Sequence, residues 1–422
     1  MKINSTPWSL VALLCATATA SYLCRVNVST AGALLMGEFG LSQAAMGRVF
    51  SAFLLGYALF MIPAGALADR WGARRILSLA AWLWVVTTIL QAAAGWGPFQ
   101  TTAEASFLAL MVFRFLLGIA EAPTYPGAAQ GVSRWVLPQY QGRANGIVIA
   151  SVGLGSALAP PLISNTMVRW GWRSSLLISA LPAAAVAMIW PIVREPATPH
   201  RMESDKSVRA AQAAAWNTKQ LRSASFALLT ASYTLQGYVG YIFVFWFYLY
   251  LVQERNFDLL RGAWMSSLPW VLSIASIPLG GWISDRLAAG RLGPTWGRRA
   301  VPMAGLALSG VFIALGAHTL NPVMAAISLA LATALVLCVE GPFWATMMRI
   351  AGGGSGTAGG IMNMGSNVGG LVSPALTPLL ASYIGWENAL HVAAGLAVIG
   401  AALWLGVNPE SRRRLESAAD AA

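Results

Sequence analysis

The sequence predicts an all-α membrane protein with twelve transmembrane helices arranged as two six-helix bundles. Three observations carry that reading. Of the 422 residues 57% are hydrophobic and only 10% charged, where soluble globular proteins carry about 25% charged residues. Twelve stretches are apolar enough to cross a hydrocarbon core, which takes roughly 20 residues each. The 27 basic residues are divided very unequally between loops on alternate sides of those stretches. Together these exclude a soluble enzyme with one core, a disordered regulator and a disulfide scaffold. The net charge of +12 does not imply a nucleic-acid partner, because no basic face is exposed to water. Only 3 Lys accompany 24 Arg, in short clusters between apolar runs.

Span 1 covers 8–36. Its first part imitates a secretory leader, with Lys2, the run Trp8–Cys15 and then Ala16-Thr17-Ala18. Apolar character resumes past Ser21 and continues to Met36, which favours a retained span. Spans 2 to 6 follow at 46–67, 74–94, 105–129, 142–168 and 173–193. The longest polar stretch, 194–223, reads as a cytoplasmic linker with a short amphipathic helix around Ser207–Lys219. Spans 7 to 12 are expected at 224–253, 262–287, 299–318, 322–346, 355–383 and 385–407, before a polar tail at 408–422. The domains are therefore 1–193, the linker, 224–407 and the tail. Interior prolines such as Pro63, Pro123, Pro126, Pro160 and Pro161 do not oppose this, since neighbouring helices re-satisfy the freed backbone groups. Soluble helices would show a polar face that these segments lack.

With the N-terminus taken as cytoplasmic, twenty basic residues fall on that side, among them Lys2, Arg74, Arg75, Arg298, Arg299 and Arg412. Arg48, Arg169, Arg173, Arg255 and Arg261 fall opposite, and Arg25 and Arg114 lie inside spans. The bias puts both termini inside a multi-pass protein of the cell inner (plasma) membrane. Cys15, Cys24 and Cys338 all sit in spans, which leaves no disulfide framework and no metal pattern. The sequence has no GxxxxGK[ST] loop for ATP-driven transport and no HExxH or GxSxG constellation for catalysis.

The two halves repeat a loop. Spans 2 and 3 are joined by Gly65-Ala66-Leu67-Ala68-Asp69-Arg70-Trp71-Gly72-Ala73-Arg74-Arg75. Spans 8 and 9 carry Gly281-Trp282-Ile283-Ser284-Asp285-Arg286 and, after an insertion, Gly297-Arg298-Arg299. Such duplication is expected of secondary transporters. A glycine lets two helices approach, and an Asp at the boundary pairs with a cation or a helix N-terminus. Asp69, Arg70, Asp285 and Arg286, with Arg143 at the start of span 5, are the expected cytoplasmic gate; a plain positive-inside turn is the competing reading of either copy alone.

The duplicated loop and the six-plus-six arrangement resemble the major facilitator superfamily along essentially the whole chain. Three stretches narrow the match: Arg25-Val26-Asn27-Val28-Ser29, the span 4 segment from Arg114 through Gly118, Glu121 and Pro123 to Pro126, and Gly360 to Gly370 with Asn363 and Asn367. They are similar to the anion:cation symporter branch, which includes bacterial galactonate, hexuronate and phthalate carriers. It also includes animal sialic acid, phosphate and vesicular glutamate transporters. The resemblance implies transport of a small organic anion, with the proton as coupling ion and no other cofactor.

Ionisable groups at span centres cost about 2.5–3.5 kcal/mol each on insertion scales, so each is a functional candidate. Arg25 shares a helical face with Tyr22 and Ser29. Its guanidinium keeps its proton and can grip a carboxylate with two parallel hydrogen bonds, which makes it the expected anion anchor. A permanent ion pair with Glu121 or Glu340 is the competing reading. Arg114 and Glu121 lie two helical turns apart on one face. In the family, the matching residues form a proton-coupling pair; a static bridge packing span 4 is the alternative. Bacterial sugar-acid members often have an Asp before the span 1 Arg, where this chain has Cys24, which leaves Glu121 as the main expected proton site. Glu340 in span 10 reads equally as a second proton site or as part of a helix break with Gly341 and Pro342.

Other cavity candidates are Tyr57, at a family position where a Tyr hydroxyl meets substrate, and Gln236 and Trp344, which face inward if the resemblance holds. Asn363 and Asn367, spaced as i,i+4 partners, would serve a polyol acid or helix packing. His318 and His391 are given no role. The leading expectation is a proton-coupled importer of a small organic anion that works as a monomer in the lipid bilayer. Competing readings are a proton-coupled exporter of a drug or metabolite and, further off, a membrane sensor.

Overall fold

The computed structural model describes residues 8–96, 102–193, 221–351 and 355–411, and every regular element among them is a helix. The first half holds α1 (Trp8–Phe39), α2 (Gln43–Trp71), α3 (Ala73–Ala92), α4 (Ala103–Glu121), α5 (Thr124–Trp135) and α6 (Pro138–Ile189). The second holds α7 (Ala224–Phe245), α8 (Phe247–Gln253), α9 (Leu259–Ala289), α10 (Gly293–His318), α11 (Pro322–Cys338), α12 (Glu340–Ala351) and α13 (Ser355–Leu403). Most of the expected linker, its amphipathic helix and residues 412–422 of the tail lie outside the described residues.

Among the described residues, nine helices are long and apolar enough to cross a bilayer, counting α4–α5 and α11–α12 as one each. Ten do so if α7 and α8, bent by 52°, make one span. Two of the nine are broken inside. Gly171 in α6 has φ +80° and Gly385 in α13 has φ +81°. That left-handed conformation is open to glycine and costly for residues with a Cβ. Each of these glycines is followed by a tryptophan, Trp172 and Trp386.

The chain forms two compact units. One comprises 1–199, 244–271 and 374–379; the other comprises 200–243, 272–373 and 380–422. In the first unit α1 packs on α6, α2 on α4, and α3 on both α4 and α6. In the second, α10 packs on α11 and α12, around a core that includes Phe226, Leu229, Tyr233, Phe343, Met347 and Trp404. Each unit repeats one terminal device. Arg74, near the start of α3, donates from Nε to the Trp190 carbonyl at 3.2 Å and from Nη2 to the Pro191 carbonyl. Arg299, near the start of α10, donates from Nε to the Val407 carbonyl at 2.6 Å. Both arginines thus satisfy carbonyls just past a helix end, where the backbone has no intrahelical donor left.

Candidate functional site

The first unit holds a buried charge cluster, and the local sequence explains its position. Pro123 has no N–H to offer the Ile119 carbonyl, so the helix stops and restarts between Glu121 and Thr124. Ala122 N–H serves both Gly118 and Ile119 carbonyls, and the Trp84 indole donates to the Ala120 carbonyl at 2.8 Å. Glu121 is therefore the last residue of α4, fully buried, on a backbone whose loose ends are satisfied. Beside it α2 and α4 touch backbone to backbone: a Cβ at Gly118 would fall on the Phe53 carbonyl, and one at Gly56 on the Phe115 carbonyl. That approach brings Phe53 and Tyr57 against the charges.

Glu121 takes its ion pair from Arg25 on α1. Arg25 Nε and Nη2 lie 2.8 and 2.7 Å from Glu121 Oε2, while Oε1 has no hydrogen-bond partner among the described residues. The sequence offers Glu121 two partners, Arg114 by helical spacing and Arg25 as an ion pair between spans, and the structure has the second. Arg114 Nη2 donates to the Arg25 backbone carbonyl at 2.9 Å, and its Nε and Nη1 have no hydrogen-bond partner among the described residues. The reason is geometric: α4 stops at Glu121, so its carboxylate reaches across to α1, whereas Arg114 two turns earlier meets the α1 backbone.

Aromatic rings enclose the cations. The Arg25 guanidinium lies 4.5, 5.0 and 4.9 Å from the ring centres of Tyr22, Phe53 and Tyr57, and that of Arg114 lies 4.9 Å from Phe53. Such faces attract a cation without neutralising it. Arg25 Nη1 also donates to the Tyr22 hydroxyl at 3.1 Å, and that hydroxyl lies 3.3 Å from the hydroxyl of Tyr125. Two guanidiniums and one carboxylate thus share this cluster, all fully or almost fully buried. Among the described residues this leaves one positive charge in excess in the cluster.

The second unit holds a carboxylate of a different kind. Pro342 removes the donor for the Cys338 carbonyl, α11 ends at Cys338, and Glu340 opens α12. Glu340 Oε2 accepts from the Tyr233 hydroxyl at 2.8 Å, Oε1 lies 3.4 Å from Gln236 Nε2, and the half-exposed Trp344 indole lies beside the same carboxyl group. Gln236 Nε2 also lies 3.3 Å from the Val336 carbonyl. Among the described residues no cation lies within ion-pair reach of Glu340. Asn367 is buried; its amide donates to the Asn363 backbone carbonyl at 3.1 Å, so the two side chains are not paired with each other. Its Oδ1 lies 3.5 Å from the Tyr241 hydroxyl. The glycines of the same helix serve packing: a Cβ at Gly369 would meet the Thr234 carbonyl, and one at Gly370 the Tyr241 ring.

The expected gate residues are spread over both units and are described separately. Asp285 pairs with Arg298 at 2.8 Å, and the Arg286 guanidinium lies over Trp282 at 4.8 Å. Arg143 lies over Trp8 at 5.7 Å and Arg70 is exposed at the end of α2. The Asp69 side chain lies outside the described part of the structure. His318 lies 2.9 Å from Glu387 on an exposed surface.

These helices and clusters can be set beside known proteins. The sequence model of the Major Facilitator Superfamily matches residues 13–366 and 287–421. The chain belongs to that superfamily. It is 29% identical over 415 residues to a probable sulfoacetate transporter of Cupriavidus necator, covering 95% of this chain and 93% of that protein. It is 27% identical to a probable galactarate/D-glucarate transporter of Bacillus subtilis, over 95% of this chain and 91% of the relative. A D-galactonate transporter of Escherichia coli is 25% identical over 91% of both chains. The fold also matches the crystal structure of a D-xylose–proton symporter, with a TM-score of 0.79 at 14% identity over 96% and 99% of the two chains. The protein is thus a multi-pass membrane transporter of that superfamily, and not an enzyme.

Sequence reasoning overlooked Phe53, Tyr125, Tyr233 and Tyr241. A signal for two of them was present. Tyr125 stands one helical turn beyond Glu121, and Tyr233 shares a face of α7 with Gln236. It also overlooked that Glu121-Ala122-Pro123 and Glu340-Gly341-Pro342 are one triplet at matching places in the two halves.

Proposed function

We propose that the protein imports a small organic anion, a sugar acid or other carboxylate, by proton symport through alternating access. The observation that carries this is the buried excess of one positive charge formed by Arg25, Arg114 and Glu121. An uncompensated buried charge is costly, and a substrate carboxylate or sulfonate supplies its missing counter-charge. Arg25 is the anchor, and binding exchanges its Glu121 partner for the substrate. Tyr22 and Tyr57 flank the anchor. Gln236, Trp344, Asn363 and Asn367 offer amide and indole groups suited to hydroxyls, and Glu121, Arg114 and Glu340 are the proton-coupling set. The names of the sulfoacetate, galactarate/glucarate and galactonate relatives favour substrates with one acidic end and a polar body.

In this reading the ten candidate crossings become twelve when α6 and α13 are each divided at their glycine breaks. They form two six-helix bundles, 1–193 and 224–407, with both termini on the cytoplasmic side of the inner membrane. The monomer suffices for transport. Asp69, Arg70, Arg143, Asp285 and Arg286 gate the cytoplasmic side.

Uptake in proteoliposomes under an imposed pH gradient tests the proposal, with sulfoacetate, D-glucarate, galactarate, D-galactonate and a hexuronate as probes. Accumulation of at least one should follow the gradient; absence of proton-driven uptake for every probe sinks the symport reading. Arg25→Lys keeps the charge but loses the two-pronged geometry, and should weaken binding about a hundredfold, the scale of disturbing a buried charge pair. Wild-type affinity in that variant removes Arg25 from the site.

A further inference from the structure

The loop repeated in the two halves is longer in the second. In the first half Trp71 and Gly72 follow Asp69-Arg70 directly, and α2 and α3 are separated by Gly72 alone. In the second, nine residues, Leu287–Thr295, stand between Asp285-Arg286 and the matching Trp296-Gly297, and they bring in Arg291 and Leu292. The added stretch is folded. α9 runs on to Ala289, α10 starts at Gly293, and Gly293 takes the left-handed backbone (φ +69°) that turns the chain between them. Gly297 then lets the two helices touch, since a Cβ there would fall on the Ala288 backbone. Asp285 and Arg298 close the turn with an ion pair at 2.8 Å.

What this turn presents is cationic and aromatic together. Trp282, Arg286, Arg291, Leu292 and Trp296 are all exposed. The Arg286 guanidinium lies 4.8 Å from the Trp282 ring centre on α9, and that of Arg299 lies 5.2 Å from the Trp296 ring centre on α10. Ring faces attract a cation without neutralising it. Along 282–299 the four arginines Arg286, Arg291, Arg298 and Arg299 meet a single acid, Asp285, which leaves three positive charges in surplus. Glu410, beyond the Val407 carbonyl that Arg299 caps, is taken by Arg349. Both α9 and α10 are long and apolar enough to cross a bilayer, so the turn that joins them stands at the membrane boundary.

We propose that the α9–α10 turn is a binding site for the headgroup of an anionic phospholipid. A phosphodiester suits it because guanidiniums donate paired hydrogen bonds to phosphate oxygens. The neighbours of the arginines point to a lipid as the source of that phosphate. Indole rings settle at the headgroup level of a bilayer, and Trp282, Trp296 and Leu292 offer apolar surface to the glycerol and the first carbons of the acyl chains. A soluble phosphate would make no use of them. An aromatic belt alone would account for the tryptophans without the surplus of charge, and a topology signal alone would account for the charge without two indoles set against guanidiniums. The turn is also built before any lipid arrives, because the Gly297–Ala288 contact and the Asp285–Arg298 pair fix its backbone. Little ordering is then left for binding to oppose.

Native mass spectrometry of the delipidated full chain, titrated with phosphatidylglycerol or with phosphatidylcholine, tests the site. Wild type should retain phosphatidylglycerol in preference to phosphatidylcholine. Arg291→Gln should lower that preference about fivefold, the scale of one basic residue at an anionic membrane surface. Arg291 is exposed, and a surface change of this kind leaves stability nearly untouched. Trp296→Ala keeps every charge and should also weaken retention. The control is Arg261→Gln, at the other end of α9, where Glu254 and Asp258 balance Arg255 and Arg261; it should leave the preference as it is. Equal retention of the two lipids by wild type overturns the proposal. So does a loss in Arg261→Gln as large as that in Arg291→Gln, which would mean that net charge attracts the lipid wherever it lies. Unchanged retention in Trp296→Ala would reduce the site to diffuse attraction and overturn it too. Inorganic phosphate that displaces the bound lipid at equal concentration would make this a site for a soluble anion, which is the remaining result against the proposal.

Discussion

Glu121 and Glu340 stand in the same triplet, at the same kind of helix break, in corresponding spans of the two halves. They differ in what reaches them. Glu121 is met by a guanidinium from α1, with a second one close by, and three aromatic rings surround Arg25. Glu340 is met by a phenol, an amide and an indole. The backbone device that places a carboxylate at a helix break is common to both repeats. The charges that answer it are not: the first half sets two guanidiniums near its carboxylate, and the second sets only neutral donors against its own among the described residues.

Six substitutions would break or sharpen that comparison. The largest effect is expected for Arg25→Met, which strands Glu121 without its ion pair; removing one partner of a buried pair costs about 3–5 kcal/mol. Thermal unfolding in detergent should show the loss, and adding Glu121→Gln should restore most of it. Failure of that rescue would mean that Arg25 is held by something other than Glu121. Next comes Gly118→Val, whose side chain meets the Phe53 carbonyl. Overpacking of this kind costs about 1–3 kcal/mol or more. Gly341→Ala, whose Cβ would come 3.2 Å from Gly281 Cα, should be milder; equal losses would mean that the two halves are packed with equal tightness there.

A smaller effect is expected where the repeats agree. Arg74→Met and Arg299→Met each remove a cap from helix-end carbonyls and should cost about 1 kcal/mol, the usual net worth of a hydrogen bond. Unequal melting shifts would show that the shared device is used differently. Glu340→Gln should do least to stability, under about 1 kcal/mol, since its amide oxygen accepts from Tyr233 as before. A loss as large as that of Arg25→Met would erase the distinction between the two carboxylates.

Much of the fold was legible because a bilayer simplifies the reading. Apolar stretches, loop charge and the repeated Asp69 and Asp285 loops needed no packing information, and Arg25, Arg114, Glu121 and Glu340 stood out against apolar neighbours. The partners were harder. Arg25 and Glu121 are 96 positions apart, so nothing in local spacing pairs them, whereas Arg114 and Glu121 share a helical face and look like partners without bonding to each other. Phe53, Tyr125 and Tyr233 were hidden for another reason: aromatic residues are common in spans, and only a neighbouring helix shows which of them touch a charge.

The sequence by itself determined that the chain lives in a membrane, that its halves repeat, and which few charged residues the spans must shelter. These follow from composition and from the cost of burying charge, which act residue by residue. Which carboxylate receives the cations was decided by tertiary structure alone. That choice depends on how helices from distant parts of the chain touch, and the Arg25–Glu121 contact between α1 and α4 is one that no spacing along a single helix records.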